Sequence, residues 1–370
     1  MSLSDVTKSG AVEGPAHHRK RSRIGIALIP VALAALVLAG CGSSKGTSST
    51  TTVPKAGISN QSTTNPTSAP QAATWSAPDS IDPPNPAEPG NTLQDVSCPT
   101  TTFCMAVDGN GGILVGGNVF IYNGSSWSKP SSLATQNAFG ALSCPTSTFC
   151  AAFLGDGSAI TYSGSSWSSP DLIDSGGGNG KTVSCSSATF CLAVGVDGSN
   201  FVYNGSSWRS ITSPTVIGND GAFDAVSCPT ATFCVAGDRN GNVFTYNGSV
   251  WSSPDLIDQA NQGVNSVSCP TTTFCVAIDG PGNAFTYNGS SWSTANSIDP
   301  NGNGLNSVSC SSATFCVAVD TNGNVLTYNG SLWSPANSID SGNHLLSVSC
   351  SSATFCVAVD ATHALVYKVS

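Results

Sequence analysis

The stretch "SVSCPTTTFCVAID", residues 266–279, returns in slightly different wording seven times along the chain. Every copy carries two cysteines with five residues between them: Cys98 and Cys104, Cys144 and Cys150, Cys185 and Cys191, Cys228 and Cys234, Cys269 and Cys275, Cys310 and Cys316, Cys350 and Cys356. The first cysteines advance in steps of 46, 41, 43, 41, 41 and 40 residues. A phenylalanine precedes each second cysteine, and all seven tyrosines (122, 162, 203, 246, 287, 328, 367) fall in register. A period of this size means one supersecondary unit stacked on copies of itself, each burying an apolar face it could not bury alone.

One copy reads as four short strands. "NSVSC" (265–269) and "FCVAID" (274–279) alternate; "GPGN" turns into "AFTYN" (284–288), and "GSS" into "WSTANSID" (292–299). Alternation over four to eight residues between Asn-Gly and Asp-Gly turns marks hairpins. No convincing helical period occurs after residue 41. A four-stranded unit of this length matches a β-propeller blade, for which repeats of about 40–45 residues are usual. A β-solenoid is the rival, with coils that are usually shorter. The expectation is an all-β chain whose residues 75–370 form a seven-bladed β-propeller of four-stranded antiparallel blades. Trp75, in "TWSAPDSID", precedes the first cysteine pair, whereas the last copy ends at "ALVYKVS" without its tryptophan. The N-terminal strand is therefore expected to complete the blade begun near Ser347, closing the ring and leaving few free edges. The chain looks like the propeller class without matching a named member, since the Trp-Asp dipeptide of WD-repeats is absent. "TYNGSVW" (245–251) is similar to the Asp-box of sialidase-type propellers, with Asn in place of Asp and one residue missing before Gly. That likeness implies a structural turn.

The paired cysteines end strand one and open strand two, where facing Cα atoms lie within disulfide reach. Fourteen of them in local pairs on an exported chain read as seven disulfides, one per blade. Metal binding and redox chemistry both favour a Cys-x-x-Cys spacing that is not present, and no histidine accompanies the pairs. The repeated Phe, Tyr and Trp read as packing between blades, with a carbohydrate-stacking array as the other reading.

Export is written at the front. "RKRSR" (19–23) precedes an apolar run of seventeen residues, "IGIALIPVALAALVLAG" (24–40), a secretory pattern. The "LAGC" ending resembles the bacterial lipoprotein lipobox. This resemblance implies cleavage of residues 1–40 and lipidation of Cys41, placing the protein at the extracytoplasmic side of the cell membrane. Residues 41–74 are the lipidated cysteine and a Ser/Thr-rich tether with too little apolar surface to repay ordering. An ordinary signal peptide or an uncleaved anchor, with Cys41 incidental, is the alternative.

Charge narrows the partners. From residue 75 onward nineteen acids face five basic residues, Lys129, Lys181, Arg209, Arg239 and Lys368. Such a body repels nucleic acid, whose affinity comes from Lys/Arg neutralising phosphates. The strand assignment puts the acids on one side of the disc, in the turns between strands two and three, in the links between blades, or in the fourth strands. The turns "CPTTTFC" and "YNGSSW" carry no charge. Asp108, Asp156, Asp197, Asp238, Asp279, Asp320, Asp360 and His363 form a candidate binding rim, with His363 standing where other copies have Gly. Three readings apply: turn chemistry and solubility, a cationic or hydroxyl-rich partner, or Ca²⁺ at "DRNGN" (238–242) and "DTNGN" (320–324), which offer hard oxygens but lack a terminal Glu. No other cofactor and no catalytic residue is assigned, because a unique site should break the repeat. The functional expectation is a monomeric, membrane-anchored binding or scaffold module for an envelope glycan or exported protein. The alternative is an extracytoplasmic polysaccharide hydrolase or lyase, which needs two carboxylates at a defined separation.

Overall fold

The computed structural model describes residues 74–84, 91–110, 116–133, 137–175, 181–195, 197–212 and 223–369. The signal segment, Cys41 and the tether up to residue 73 lie outside these residues. Every described strand belongs to one of seven antiparallel sheets. Blade 1 comprises Asn91–Thr100, Phe103–Asn110, Asn118–Tyr122 and Ser131–Ser132; blade 2, Phe139–Thr146, Phe149–Leu154, Ser158–Tyr162 and Asp171–Leu172. Blade 3 comprises Lys181–Ser187, Phe190–Gly195, Asn200–Tyr203 and Trp208–Ser210; blade 4, Phe223–Thr230, Phe233–Asp238, Asn242–Tyr246 and Asp255–Leu256. Blade 5 comprises Ser266–Thr271, Phe274–Ile278, Asn283–Tyr287 and Asn296–Ser297; blade 6, Leu305–Ser312, Phe315–Asp320, Asn324–Tyr328 and Asn337–Ser338. Blade 7 takes Ser347–Ser352, Phe355–Val359 and His363–Lys368 from the end of the chain.

Its fourth strand comes from the front. Thr74 and Trp75 pair with Lys368 and Tyr367, and Asp79 and Ser80 pair with Ala364 and His363. Each first strand packs on the first strand of the next blade, and that of blade 7 returns to that of blade 1. The ring is closed, with seven blades, as the displaced tryptophan predicts.

Second strands are buried on both faces, so "FCVAVD" reads as one apolar run. In blade 6, Cys316 and Ala318 pack toward blade 5, whereas Val317 and Val319 pack toward blade 7. The core is thus seven interblade layers, and this small-against-branched scheme gives way between blades 2 and 3, where Ala151 and Phe153 meet Cys191 and Ala193. Aromatic side chains extend each layer outward. Every tyrosine meets its own blade's tryptophan at 5.3–5.5 Å between ring centroids. Phe149, Phe233, Phe274 and Phe315 stack on the tyrosine of the following blade.

All seven disulfides form within blades, with Cα–Cα distances of 3.9–4.1 Å. The serine before each first cysteine has a different task. Its hydroxyl accepts the N–H of the next blade's first cysteine, from Cys144 N to Ser97 Oγ and so on round to Cys98 N to Ser349 Oγ, each at 2.9 Å. "Ser-Cys" is therefore a two-residue joint, with sulfur closing the blade and oxygen joining it to its neighbour.

Candidate functional site

The eight residues of the predicted rim fall at seven equivalent turns, but most of their charge is turned inward. Asp108, Asp238, Asp279, Asp320 and Asp360 are buried, Asp156 is half-buried and Asp197 is exposed. In the regular turns the aspartate bonds its own loop. Asp320 Oδ1 accepts the N–H groups of Asn322 (2.9 Å) and Asn324 (2.8 Å), while Oδ2 accepts the Asn324 side-chain amide at 2.7 Å. Asp238 with Asn240 and Asn242, and Asp279 with Gly282 and Asn283, repeat the scheme, and Asp108 is held by Asn118. Asp156 accepts from Ser158 N and the Asn137 amide, and Asp197 from the N–H and hydroxyl of Ser199. These are Asx-type locks that fix the hairpin ends. Gly323 (φ +77°) shows how tightly the next link sits on such a turn, since a Cβ there would strike the Asp340 carbonyl. No group of three or more His, Cys, Asp or Glu side chains suited to a metal ion occurs among the described residues.

Two acids depart from the expected placement. Asp95 and Asp224 lie in first strands, not in the turns, links or fourth strands. Asp224 meets Arg239 at 2.8 Å. Asp95 stands where blades 5, 6 and 7 have Ser266, Ser307 and Ser347. Its carboxylate ties three blades together, accepting from Ser347 Oγ (2.8 Å), Val96 N (2.9 Å) and Leu142 N (2.9 Å). Burial raises its pKa in spite of these donors.

The repeat also breaks between blades 6 and 7. His363 occupies the place of the turn asparagine, not of the glycine that simple spacing suggests. Its backbone N–H bonds Asp360 Oδ1 as that of Asn324 bonds Asp320, and its Nδ1 reaches Asp360 Oδ2 at 2.9 Å, where an asparagine would use its amide. The turn is one residue shorter, which moves His363 into this position. The link is one residue shorter too. Its counterparts Asp258 and Asp299 use Oδ2 to accept Gln262 N (2.6 Å) and Asn303 N (2.9 Å). Asp340 bonds the Asn343 amide through Oδ1, while its buried Oδ2 meets no such N–H. Burial raises the pKa of Asp340, and the neighbouring Asp360 carboxylate raises it further. Burial alone would raise Asp360 as well, but the Thr362 N–H, the His363 ring and N–H, and the Asp340 side chain hold it low. Burial and mutual repulsion thus set the two carboxyl groups apart, Asp340 pushed up and Asp360 held down.

The opposite face carries the uncharged turns. Asn123 Oδ1 accepts the N–H of Ser125 and Ser126, both at 3.0 Å, and Asn204, Asn247, Asn288 and Asn329 do the same in their blades. Where the sister turns have Ser126, Ser166, Ser207 and Ser291, blades 4 and 6 have Val250 and Leu332, which are 62% and 71% exposed. Only the backbone of these residues serves the turn, the N–H donating to the asparagine Oδ1 and the carbonyl accepting the asparagine N–H. Two grooves indent the outer wall between blades. One of about 450 Å³ lies between blades 4 and 5 against Trp292, and one of about 400 Å³ lies at the closing seam between blades 7 and 1 against Trp127.

No family model matches the sequence, and no curated protein is significantly similar to it. Solved structures do share the fold. YCF48 bound to a D1 peptide superposes with a TM-score of 0.60 at 12% identity, covering 80% of this chain and 95% of that one. YCF48 from Cyanidioschyzon merolae gives 0.59 at 16% identity over 80% of this chain and 98% of that one. The computationally designed Ika8 protein gives 0.54 at 11% identity, over 76% and 97%. At these identities the likeness is one of architecture.

Proposed function

We propose that this chain is an extracytoplasmic binding module, anchored at a membrane by acylated Cys41 and the tether that follows, whose propeller takes a segment of an exported protein. The observation that carries the reading is the set of uncharged turns on one face, from which Val250 and Leu332 project. The turn needs neither side chain, and serine serves the same geometry in the sister blades, so the fold itself has no use for apolar groups there. Uncharged turns with projecting aliphatic side chains suit contact with a polypeptide, where apolar burial and main-chain hydrogen bonds supply the affinity. Support by analogy comes from YCF48, one structure of which holds a peptide. The acidic locks on the other side are spent on their own loops.

The test is binding of the full-length chain to an array of overlapping peptides from exported proteins, beside a panel of envelope polysaccharides. Saturable peptide binding is expected, weakened about tenfold by V250S/L332S, which restores the serines of the sister turns. Binding to polysaccharide alone, release of sugar products, or indifference to the double substitution would overturn the reading.

A further inference from the structure

The seam between blades 7 and 1 is the one place where the third strand ends without an Asn-Gly or Ser-Gly turn. Six blades follow the tyrosine with Asn or Ser, whereas blade 7 follows Tyr367 with Lys368. Lys368 reaches across the seam. Its Nζ donates to Tyr122 Oη at 2.6 Å and to the Gly124 carbonyl at 3.0 Å, and it lies over the Tyr122 ring at 5.3 Å. Cation–π contact and two neutral acceptors hold the ammonium in place, but they do not cancel its charge. No carboxylate pairs with it among the described residues. An ammonium has three donors, and two are used.

The phenol adds a second donor. In blade 2, Tyr162 donates its proton to the Gly164 carbonyl at 2.8 Å, a bond that no other tyrosine makes among the described residues. In blade 1 the corresponding carbonyl, that of Gly124, is taken by Lys368, and Tyr122 Oη itself accepts from the lysine. Tyr122 is left with an O–H whose proton has no acceptor among the described residues. The Lys368 ammonium and the Tyr122 phenol oxygen thus stand side by side, 2.6 Å apart, on the wall of the groove of about 400 Å³, which Trp127, Ser125, Thr74 and Ser76 also line. Two adjacent donors, one of them charged, match the two oxygens of a carboxylate. The one acid in the groove, Asp79, pairs with Ala364, four residues along the strand from Lys368. Four residues of strand separate backbone positions by roughly 13 Å, and Asp79 makes no ion pair with Lys368 among the described residues.

We infer that the seam groove is a carboxylate site, in which Lys368 and Tyr122 receive an Asp or Glu side chain of the bound polypeptide against the Trp127 ring. This deepens the proposed function and rests on it for the nature of the partner. The net acidity of the body repels anions at long range, so the groove selects one acidic residue within an otherwise apolar or basic segment.

The test is a titration of the full-length protein with the blocked tripeptide acetyl-Gly-Glu-Gly-amide and its Gln counterpart. The readout is the indole N–H resonance of Trp127, assigned with Trp127→Phe. The Glu peptide is expected to shift that resonance saturably and to bind about tenfold more tightly than the Gln peptide, the scale of one charged hydrogen-bonded contact. Lys368→Met should abolish the preference, Lys368→Arg should keep most of it, and Tyr122→Phe, which leaves the lysine and the ring in place, should reduce it. Equal response to both peptides, no response to either, or a preference that survives Lys368→Met would overturn the inference. Tighter binding of galacturonate than of the Glu peptide would also overturn it, assigning the groove to acidic sugars. The titration reads the groove alone, so its failure is distinct from failure of the V250S/L332S experiment.

Discussion

At the scale of single residues, the repeat makes each exception interpretable, because six sister positions show what the fold requires there. Asp340 is the clearest case. A shorter link removes the N–H that its counterparts Asp258 and Asp299 accept, and burial beside Asp360 raises the carboxyl's pKa. A group whose pKa is raised in the folded state favours folding while protonated and loses that contribution as pH rises through the raised value. Asp360, held low, behaves oppositely, and its contribution is lost as pH falls below the ordinary carboxylate range. Asp340→Asn removes a carboxyl whose ionisation burial and the neighbouring Asp360 both oppose. It should raise unfolding stability by about 1 kcal/mol at about pH 7 and change it little near pH 3, measured by urea denaturation at both values. Asp95→Ser, which restores the sister residue of blades 5 to 7, should likewise cost little at neutral pH, because it removes a carboxyl whose ionisation burial resists. A loss above about 3 kcal/mol in the same assay would show that its links to Ser347 and Leu142 matter more than that burial.

At the scale of elements, the first strand carries two independent joints, and they can be separated. Removing one bridge as Cys310→Ala/Cys316→Ala releases a short loop within blade 6 and should cost about 2 kcal/mol. Ser309→Ala removes the acceptor of the Cys350 N–H and should cost about 1 kcal/mol by loosening blade 6 from blade 7. Urea denaturation should show the two losses adding if the joints act separately. Much at this scale was legible beforehand. The cysteine spacing, the register of tyrosines and the displaced Trp75 state the pairing, the blade count and the closure, because each is a local pattern repeated seven times. The orientation of the acids was not legible. An aspartate followed by Asn-Gly is written identically whether its carboxylate faces water or caps its own loop, and only the backbone path of the turn decides. His363 was misplaced by one residue for a related reason, since a deletion inside a turn shifts the register silently. Lys368 gave its signal as a departure from Asn after Tyr367, but its reach to blade 1 depends on ring closure, which sequence order hides.

At the scale of the whole molecule, the described residues form a ring in which every blade rests on two neighbours, so no interblade layer is more terminal than another except by covalent continuity. The seam between blades 7 and 1 has the interblade layer of any other junction and adds Lys368 to it. Deleting residues 74–84 should leave the third strand of blade 7, His363–Lys368, as a bare edge. The shortened chain is expected to self-associate through that edge, seen as an earlier-eluting species in size-exclusion chromatography, whereas the full chain elutes as a single copy. On the reading of Cys41 as the lipid attachment point, Cys41→Ser should move the protein from the membrane fraction to the soluble one while leaving the ring's thermal unfolding unchanged. The closure has a temporal side as well. Ser76 meets Val366 across 290 positions, so the first strand to leave the ribosome must wait, unpartnered, for nearly the last. On the reading of residues 1–40 as an export signal, a translocating chain can stack six wedges in order as they arrive, yet the circle stays open until its final residues have crossed. Its slowest folding event should therefore coincide with the completion of export.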